Sequence, residues 1–275
     1  MSTIRSVLLQ LDTTPTSAAR LEFARRVALH HKAALSAMFM VSPSEGSAQQ
    51  DSPEGNLALL QQMDRDDIDR PTSLFDDALA GSGRPTRWLA SAGDAREAFC
   101  RQALYADLLV LGQHDPSTRS AGTVPANFVE SVVMATGKPA LILPFAGKFG
   151  VPGRDVLIGW NATPQAARAV TAALPWLRMA RRVHVLEATD DTAPHHAADL
   201  DIAHYLNLHG IVATPHRGHA SPNDAGEVLL SFASTVGADL LVMGCYGHRR
   251  ARELVLGGAS RTVLKSMTLP VLTAH

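Results

Sequence analysis

The chain has 275 residues, enough for one large domain or two of ordinary size, and its 46% hydrophobic and 19% charged content suits a globular protein with a substantial core. A formal net charge of -1 leaves no field to recruit nucleic acid or an acidic membrane non-specifically, and no apolar run approaches the length of a membrane span. Two cysteines, Cys100 and Cys245, are too few and too far apart for a disulfide framework or a cysteine-based zinc site. The opening MSTIRSVLLQLD enters a short strand pattern without the apolar region and cleavage site of a signal peptide, so the cytoplasm is the expected compartment.

In chain order, Val7–Leu11 reads as a compact buried strand ending at Asp12. Thr13, Thr14, Pro15 and Thr16 suit a helix start, and Ala18–His31 has amphipathic helical spacing. Ala34–Val41 reads as a second strand, Ser42–Gly55 as a polar loop, and Leu57–Leu79 as a helix interrupted at Pro71. Arg87–Ala90 predicts a third strand, Asp94 opens a helix to Tyr105, and Leu108–Leu111 is a fourth strand ending at Gly112. Val129–Ala135 reads as helix and Ala140–Leu143 as a fifth strand closed by Pro144.

Phe145–Arg154 carries three glycines and a proline and reads as a linker, after which the same programme restarts. Val156–Trp160 is a strand ending at Asn161, with Thr163 and Pro164 opening a helix through Leu177. Val183–Glu187 is a strand, Ala197–His209 a helix, Ile211–Pro215 a strand and Asp224–Val236 a helix. Leu240–Met243 is an apolar strand ending at Gly244, Thr262–Met267 is helical, and Val271–Ala274 closes the chain.

Two local matches mark an internal repeat. Ala106–Gly112 reads ADLLVLG and Ala238–Gly244 reads ADLLVMG, and the Pro139–Leu143 and Pro270–Ala274 strands follow at corresponding distances. Alternating strands and helices in two copies predict an α/β protein of two tandem doubly wound parallel-sheet domains, Rossmann-like in architecture, over residues 1–146 and 154–275. In such sheets ligands bind beyond the carboxyl ends of strands at a topological switch point, where Asp12, Gly112, Asn161 and Gly244 are expected.

The stretch from Asp239 to Ser260 carries the strongest chemical signal. A buried strand runs into Gly244 and Gly247, and Gly257, Gly258, Ala259 and Ser260 then open a helix. Glycine lets backbone N–H groups approach an anion, a helix start adds partial positive charge, and a hydroxyl can donate to an oxygen. Two ordinary glycine turns are the alternative. His248, Arg249, Arg250 and Arg252 either screen phosphate charge or form a solvated basic face balanced by Glu253. No P-loop lysine motif is present.

These residues resemble the universal stress protein family in its tandem form, whose fold is adenine nucleotide alpha-hydrolase-like. Gly244, Gly247 and Gly257 match the family's pattern of glycine, two residues, glycine, nine residues, glycine. Where the family has Ser or Thr after the third glycine this chain has Gly258, with the Ser260 hydroxyl two positions on, and Asn161 replaces the usual strand-end Asp. The resemblance implies ATP, ADP or AMP as ligand, with Mg as a possible companion, and a nucleotide-contacting set of Gly159, Asn161, Glu187, Gly244, Tyr246, Gly247, His248, Gly257, Gly258, Ala259 and Ser260. It also implies pairing of domains through their last strands, either within the chain or as a homodimer.

The first half departs further. Ala126, Asn127 and Val129 stand where Gly257, Gly258 and Ser260 do, and Gln113, His114, Asp115 and Pro116 replace the second glycine. Asp12 keeps the usual acid, but the phosphate cradle is lost, so the second half alone is expected to bind nucleotide.

No Ser-His-Asp or paired-carboxylate spacing stands out, and slow ATP hydrolysis is the most catalysis expected. An interaction scaffold that binds no nucleotide is the competing reading. His195, His196, His204 and His209, with Asp199 or Asp201, form a metal-site candidate against the simpler reading of a surface histidine cluster. Cys245 is either a redox-sensitive thiol or a small residue tolerated in its turn, and Cys100 is expected in the core. Trp88, Trp160 and Trp176 are too scattered for a nucleic-acid stacking platform.

Overall fold

The computed structural model describes residues 4–12, 14–40, 86–91, 95–117, 124–189, 201–220, 224–245 and 258–275. The Ser42–Gly55 loop and the Leu57–Leu79 helix expected from the sequence lie outside these residues. The chain forms two compact units, one of Thr3–Lys138 with Phe145–Val151, the other of Pro139–Pro144 with Pro152–His275.

In the first unit the described elements are β1 (Ser6–Leu11), α1 (Ser17–His31), β2 (Ala34–Met40), β3 (Thr86–Ser91), α2 (Ala95–Ala103), β4 (Leu108–Gly112) and α3 (Phe128–Thr136). The strands lie in the order β3-β2-β1-β4 and every pair is parallel. Val7, Leu9, Leu109 and Val110 are fully buried, which is why the central strands read as continuous apolar runs rather than alternating ones. Helix α1 covers β1 and β4 with Leu21, Phe23, Ala24, Val27 and Ala28.

The second unit contains β5 (Ala140–Leu143), β6 (Asp155–Trp160), α4 (Pro164–Leu177), β7 (Arg182–Thr189), α5 (Ile202–Leu208), β8 (Thr214–His219), α6 (Ala225–Val236), β9 (Leu240–Gly244), α7 (Gly258–Ser266) and β10 (Val271–Ala274). Its strand order is β5-β10-β9-β6-β7-β8. All neighbours are parallel except β5 and β10, which pair antiparallel with Leu272 opposite Leu141. Strand β5 belongs to the first half in chain order, yet it packs with the second unit.

The repeated Ala-Asp-Leu-Leu-Val segment has a structural reason in each unit. The Asp107 carboxylate accepts from the backbone N–H groups of Arg5 and Ser6 at 2.8 and 3.0 Å. Asp239 does the same at the start of β6, accepting from Gly153, Arg154 and Asp155 at 3.0–3.1 Å. Each aspartate ties the entry of one central strand to its neighbour, and the four apolar residues that follow fill the buried strand.

Two of the boundaries that differ from those expected have a local cause. The strand placed at Ile211–Pro215 runs instead over Thr214–His219. Ile211 is buried and donates its N–H to the Leu206 carbonyl, so it closes the preceding helix rather than opening the strand. Strand β8 is the edge of its unit, polar along its length, and accommodates Pro215 as an edge strand can. The helix expected over Ala197–His209 is described from Ile202, because the Asp201 carboxylate caps it by accepting from the His204 N–H at 2.6 Å.

Candidate functional site

Both units turn back on themselves at one place. In the second unit the chain leaves β6 toward β7 and β8, then crosses over to β9 and β10 on the other side. The β6/β9 boundary is therefore the topological switch point, the place where sheets of this kind hold a ligand crevice at the strand carboxyl ends. The corresponding boundary in the first unit lies between β1 and β4.

At the second unit's crevice, Asn161 follows β6 and is exposed. Ala162 adopts φ 51°, a left-handed turn that turns the chain from strand into helix. The Thr163 hydroxyl donates to Asn161 Oδ1 at 2.8 Å and accepts from the Ala166 N–H at 3.2 Å. It thereby caps α4 and fixes the Asn161 amide in one motif, with Pro164 at the first helical position where no N–H is needed.

Gly244 ends β9 directly beneath that turn. A Cβ there would stand 2.5 Å from the Ala166 backbone nitrogen and 2.8 Å from the Gln165 carbonyl carbon. Only glycine lets the first turn of α4 lie this close to the strand tip. Helix α7 begins at Gly258 with Ala259 and Ser260 in its first turn, and Ser260 is buried. Gly226 of α6 sets this turn in place, since a Cβ there would come within 2.8 Å of the Ala259 carbonyl oxygen.

Of the other expected contacts, Gly159 lies on β6, where its missing side chain makes room for Leu229 of α6. Glu187 is half-buried on β7, in register with Trp160. Tyr246, Gly247, His248 and Gly257, with Arg249, Arg250 and Arg252, lie outside the described residues. Cys245 is 2% exposed, its N–H held by the Ala274 carbonyl and its own carbonyl in contact with His275 Nδ1 at 3.0 Å. Cys100 is half-buried on α2 rather than fully in the core. His195, His196 and Asp199 are not described, Asp201 serves as a helix cap, and among the described residues no group of three His, Cys, Asp or Glu side chains could hold a metal. No helix among the described residues is long and apolar enough to cross a membrane.

The first unit's crevice has a different interior. It is lined by Asp12, Thr14 and Arg20 on one side and by Gly112, His114 and Ala126 on the other. Arg20 is 3% exposed and spans the strand tips. Its Nη1 donates to Gln10 Oε1 at 2.5 Å and to the Gln10 carbonyl at 3.0 Å, and lies 3.5 Å from Asp12 Oδ2. Gln10 donates to Asp12 Oδ2 at 2.7 Å and accepts from the Gly112 N–H at 3.2 Å. Burial pushes the Asp12 carboxyl up, but the Arg20 charge and the donors on Thr14 and Ser17 outweigh it and hold the group below the usual carboxylate range.

Arg20 and Gln10 were not among the residues the sequence singled out. The signal was present: Gln10 interrupts the apolar run Val7–Leu11, and Arg20 occupies the helix stripe shared with Ala24 and Val27.

Comparison with known proteins agrees with this architecture. Residues 153–275 match the model of the universal stress protein family. A stretch of 56 residues is 39% identical to a universal stress protein of Synechocystis sp.; it covers 20% of this chain and 18% of that protein, so the match spans under a fifth of the relative's length. Among solved structures, a universal stress protein from Archaeoglobus fulgidus superposes with a TM-score of 0.69 at 15% identity, over 97% of each chain. A protein of unknown function from Pseudomonas aeruginosa PAO1 gives 0.61 at 15% identity, over 98% of this chain and 92% of that one. At such identities these two likenesses show the fold.

Proposed function

We propose that this chain, whose residues 153–275 form a domain of the universal stress protein family, binds an adenine nucleotide at the β6/β9 crevice of that domain and acts as a cytoplasmic stress-response regulator. The observation that carries the reading is the contact of Gly244 with Ala166. It brings a capped helix start, an exposed amide and a glycine strand tip together at a switch point. Asn161 would address the adenosine portion, since its amide both donates and accepts. The first turn of α7, at Gly258, Ala259 and Ser260, would face the phosphates with helix-start N–H groups, and Gly247 and Gly257 would complete the cradle. A Mg ion accompanying ATP or ADP would neutralise phosphate charge there.

The regulatory role is the reading that the binding groups support. Among the described residues of this crevice the Asn161 amide, backbone N–H groups and the Thr163 and Ser260 hydroxyls suit binding and orienting an anion, beside the Glu187 carboxylate on β7. Ligand occupancy would then bias a conformation or a partner interaction rather than drive fast turnover. Association into homodimers, or pairing of the two halves within one chain, belongs to the same proposal.

Titration calorimetry with ATP and with AMP tests it. Binding of at least one at millimolar affinity or better is expected, weakened about tenfold by Asn161→Ala through loss of one hydrogen-bonding group. Silence with both nucleotides would instead support an interaction scaffold.

A further inference from the structure

We infer that Arg20, with Gln10, occupies the polar base of the first unit's switch-point crevice from within, and so keeps a nucleotide off the Asp12 strand end. This rests on the nucleotide reading for the second unit, and it adds the residues responsible for the difference. The two strand-to-helix turns are built alike: Thr14 and Pro15 stand after Asp12 at the same spacing as Thr163 and Pro164 after Asn161. At that same spacing Gln10 corresponds to Gly159 and Arg20 to Ala169. The first unit thus carries two long polar side chains where the second carries none.

The consequence for Asp12 is a matter of counting acceptors. A carboxylate offers about four lone-pair positions. Asp12 Oδ1 accepts from the Thr14 N–H at 3.0 Å, from the Thr14 hydroxyl, and from the Ser17 hydroxyl at 2.8 Å. Oδ2 accepts from Gln10 at 2.7 Å and faces the Arg20 guanidinium at 3.5 Å. The side chain is 4% exposed, and both of its oxygens are already engaged within the first unit. Asn161 is exposed and accepts one hydrogen bond, from Thr163.

Arg20 also occupies the space at the strand tip. A Cβ on Gly112 would run into the Arg20 guanidinium, whereas at Gly244 the neighbour is helix backbone. The buried guanidinium is matched by the Asp12 carboxylate and by the Gln10 oxygens, so the base of the crevice is a satisfied polar core and not a vacant anion site.

Photoaffinity labelling with 8-azido-ATP, followed by peptide mapping, tests this on the full chain. In the wild type, label is expected in peptides from residues 153–275 and not in those containing Asp12 or Gly112. The triple variant Gln10→Gly, Asp12→Asn, Arg20→Ala installs the second unit's residues and removes both charges together, and it should gain label in the first-unit peptides from 8-azidoadenosine, which needs no phosphate cradle. First-unit label in the wild type, or an unchanged map in the folded triple variant, overturns the inference. A second measurement needs no nucleotide. Arg20→Ala leaves a cation-shaped vacancy beside Asp12, so millimolar methylguanidinium should raise its Tm, or restore folding, with no such gain in the wild type. Absence of that rescue also overturns the inference, whereas absence of label anywhere in the wild type, with rescue intact, removes the nucleotide reading alone.

Discussion

Gly244 and Ala166 meet where β9 ends and α4 begins, with 2.5 Å between the Ala166 backbone nitrogen and the place a Gly244 side chain would take. The contact is backbone against strand tip, so nothing flexible can move aside. Gly244→Ala should therefore destabilise the protein by about 1–3 kcal/mol, the usual cost of overpacking. Gly150→Ala is the control, because a Cβ at Gly150 meets nothing within 4 Å, and its effect should stay within about 0.5 kcal/mol. Denaturant midpoints for the two variants decide the matter; equal midpoints would remove the close-approach argument.

Asp239 supplies a second stability prediction. Its carboxylate accepts three backbone N–H groups where β6 begins, and Asp239→Asn turns one of its acceptors into a donor facing those donors. A loss of about 1.5–3 kcal/mol is expected, the range for hydrogen bonds to a charged group. Asp107→Asn should cost less, because its partners lie at an exposed site where water can replace the oxygen. A larger loss at Asp107 than at Asp239 in urea unfolding would contradict this ranking.

Acid should weaken the fold through histidine before it reaches the carboxylates. His184 Nδ1 lies 3.0 Å from His216 Nε2 across β7 and β8. Burial holds the His184 imidazole below its usual range, the His216 and Arg182 charges add to this, and Asp155 opposes it. His31 is pushed down to about 4 by burial and by its neighbour His30. For a group whose folded pKa is depressed, the unfolded chain binds more protons once pH drops below the unfolded value of 6.5. Stability is thus complete above about pH 6.5 and falls as pH is lowered toward 4. Urea midpoints measured from pH 8 to pH 5 should decline across the lower half of that range, and less steeply in His184→Gln. A flat profile would show that these histidines titrate alike in both states.

The sequence makes the central strands legible because they are buried on both faces. Val7–Leu11, Leu108–Leu111, Val156–Trp160 and Leu240–Met243 each read as an apolar run and each forms a strand within a residue of its expected bounds. Edge strand β8 escapes the same reading, since Thr214–His219 is polar and the apolar Ile211 before it serves the preceding helix. Strand β5 was legible as a strand, but chain order carries no information about the unit it joins. At the crevices, strand-end positions Asp12, Gly112, Asn161 and Gly244 follow from topology alone. The role of Arg20 does not, because a charged residue on a helix is ordinarily solvated, and only its contacts with Gln10, Asp12 and Gly112 reveal it as core.

Equilibrium dialysis of the intact chain against labelled ATP, run to saturation, bears most directly on the account. One nucleotide bound per chain is the predicted result, abolished or weakened by Asn161→Ala and unchanged by Asp12→Asn. Two nucleotides per chain, or none at millimolar ligand, would contradict it.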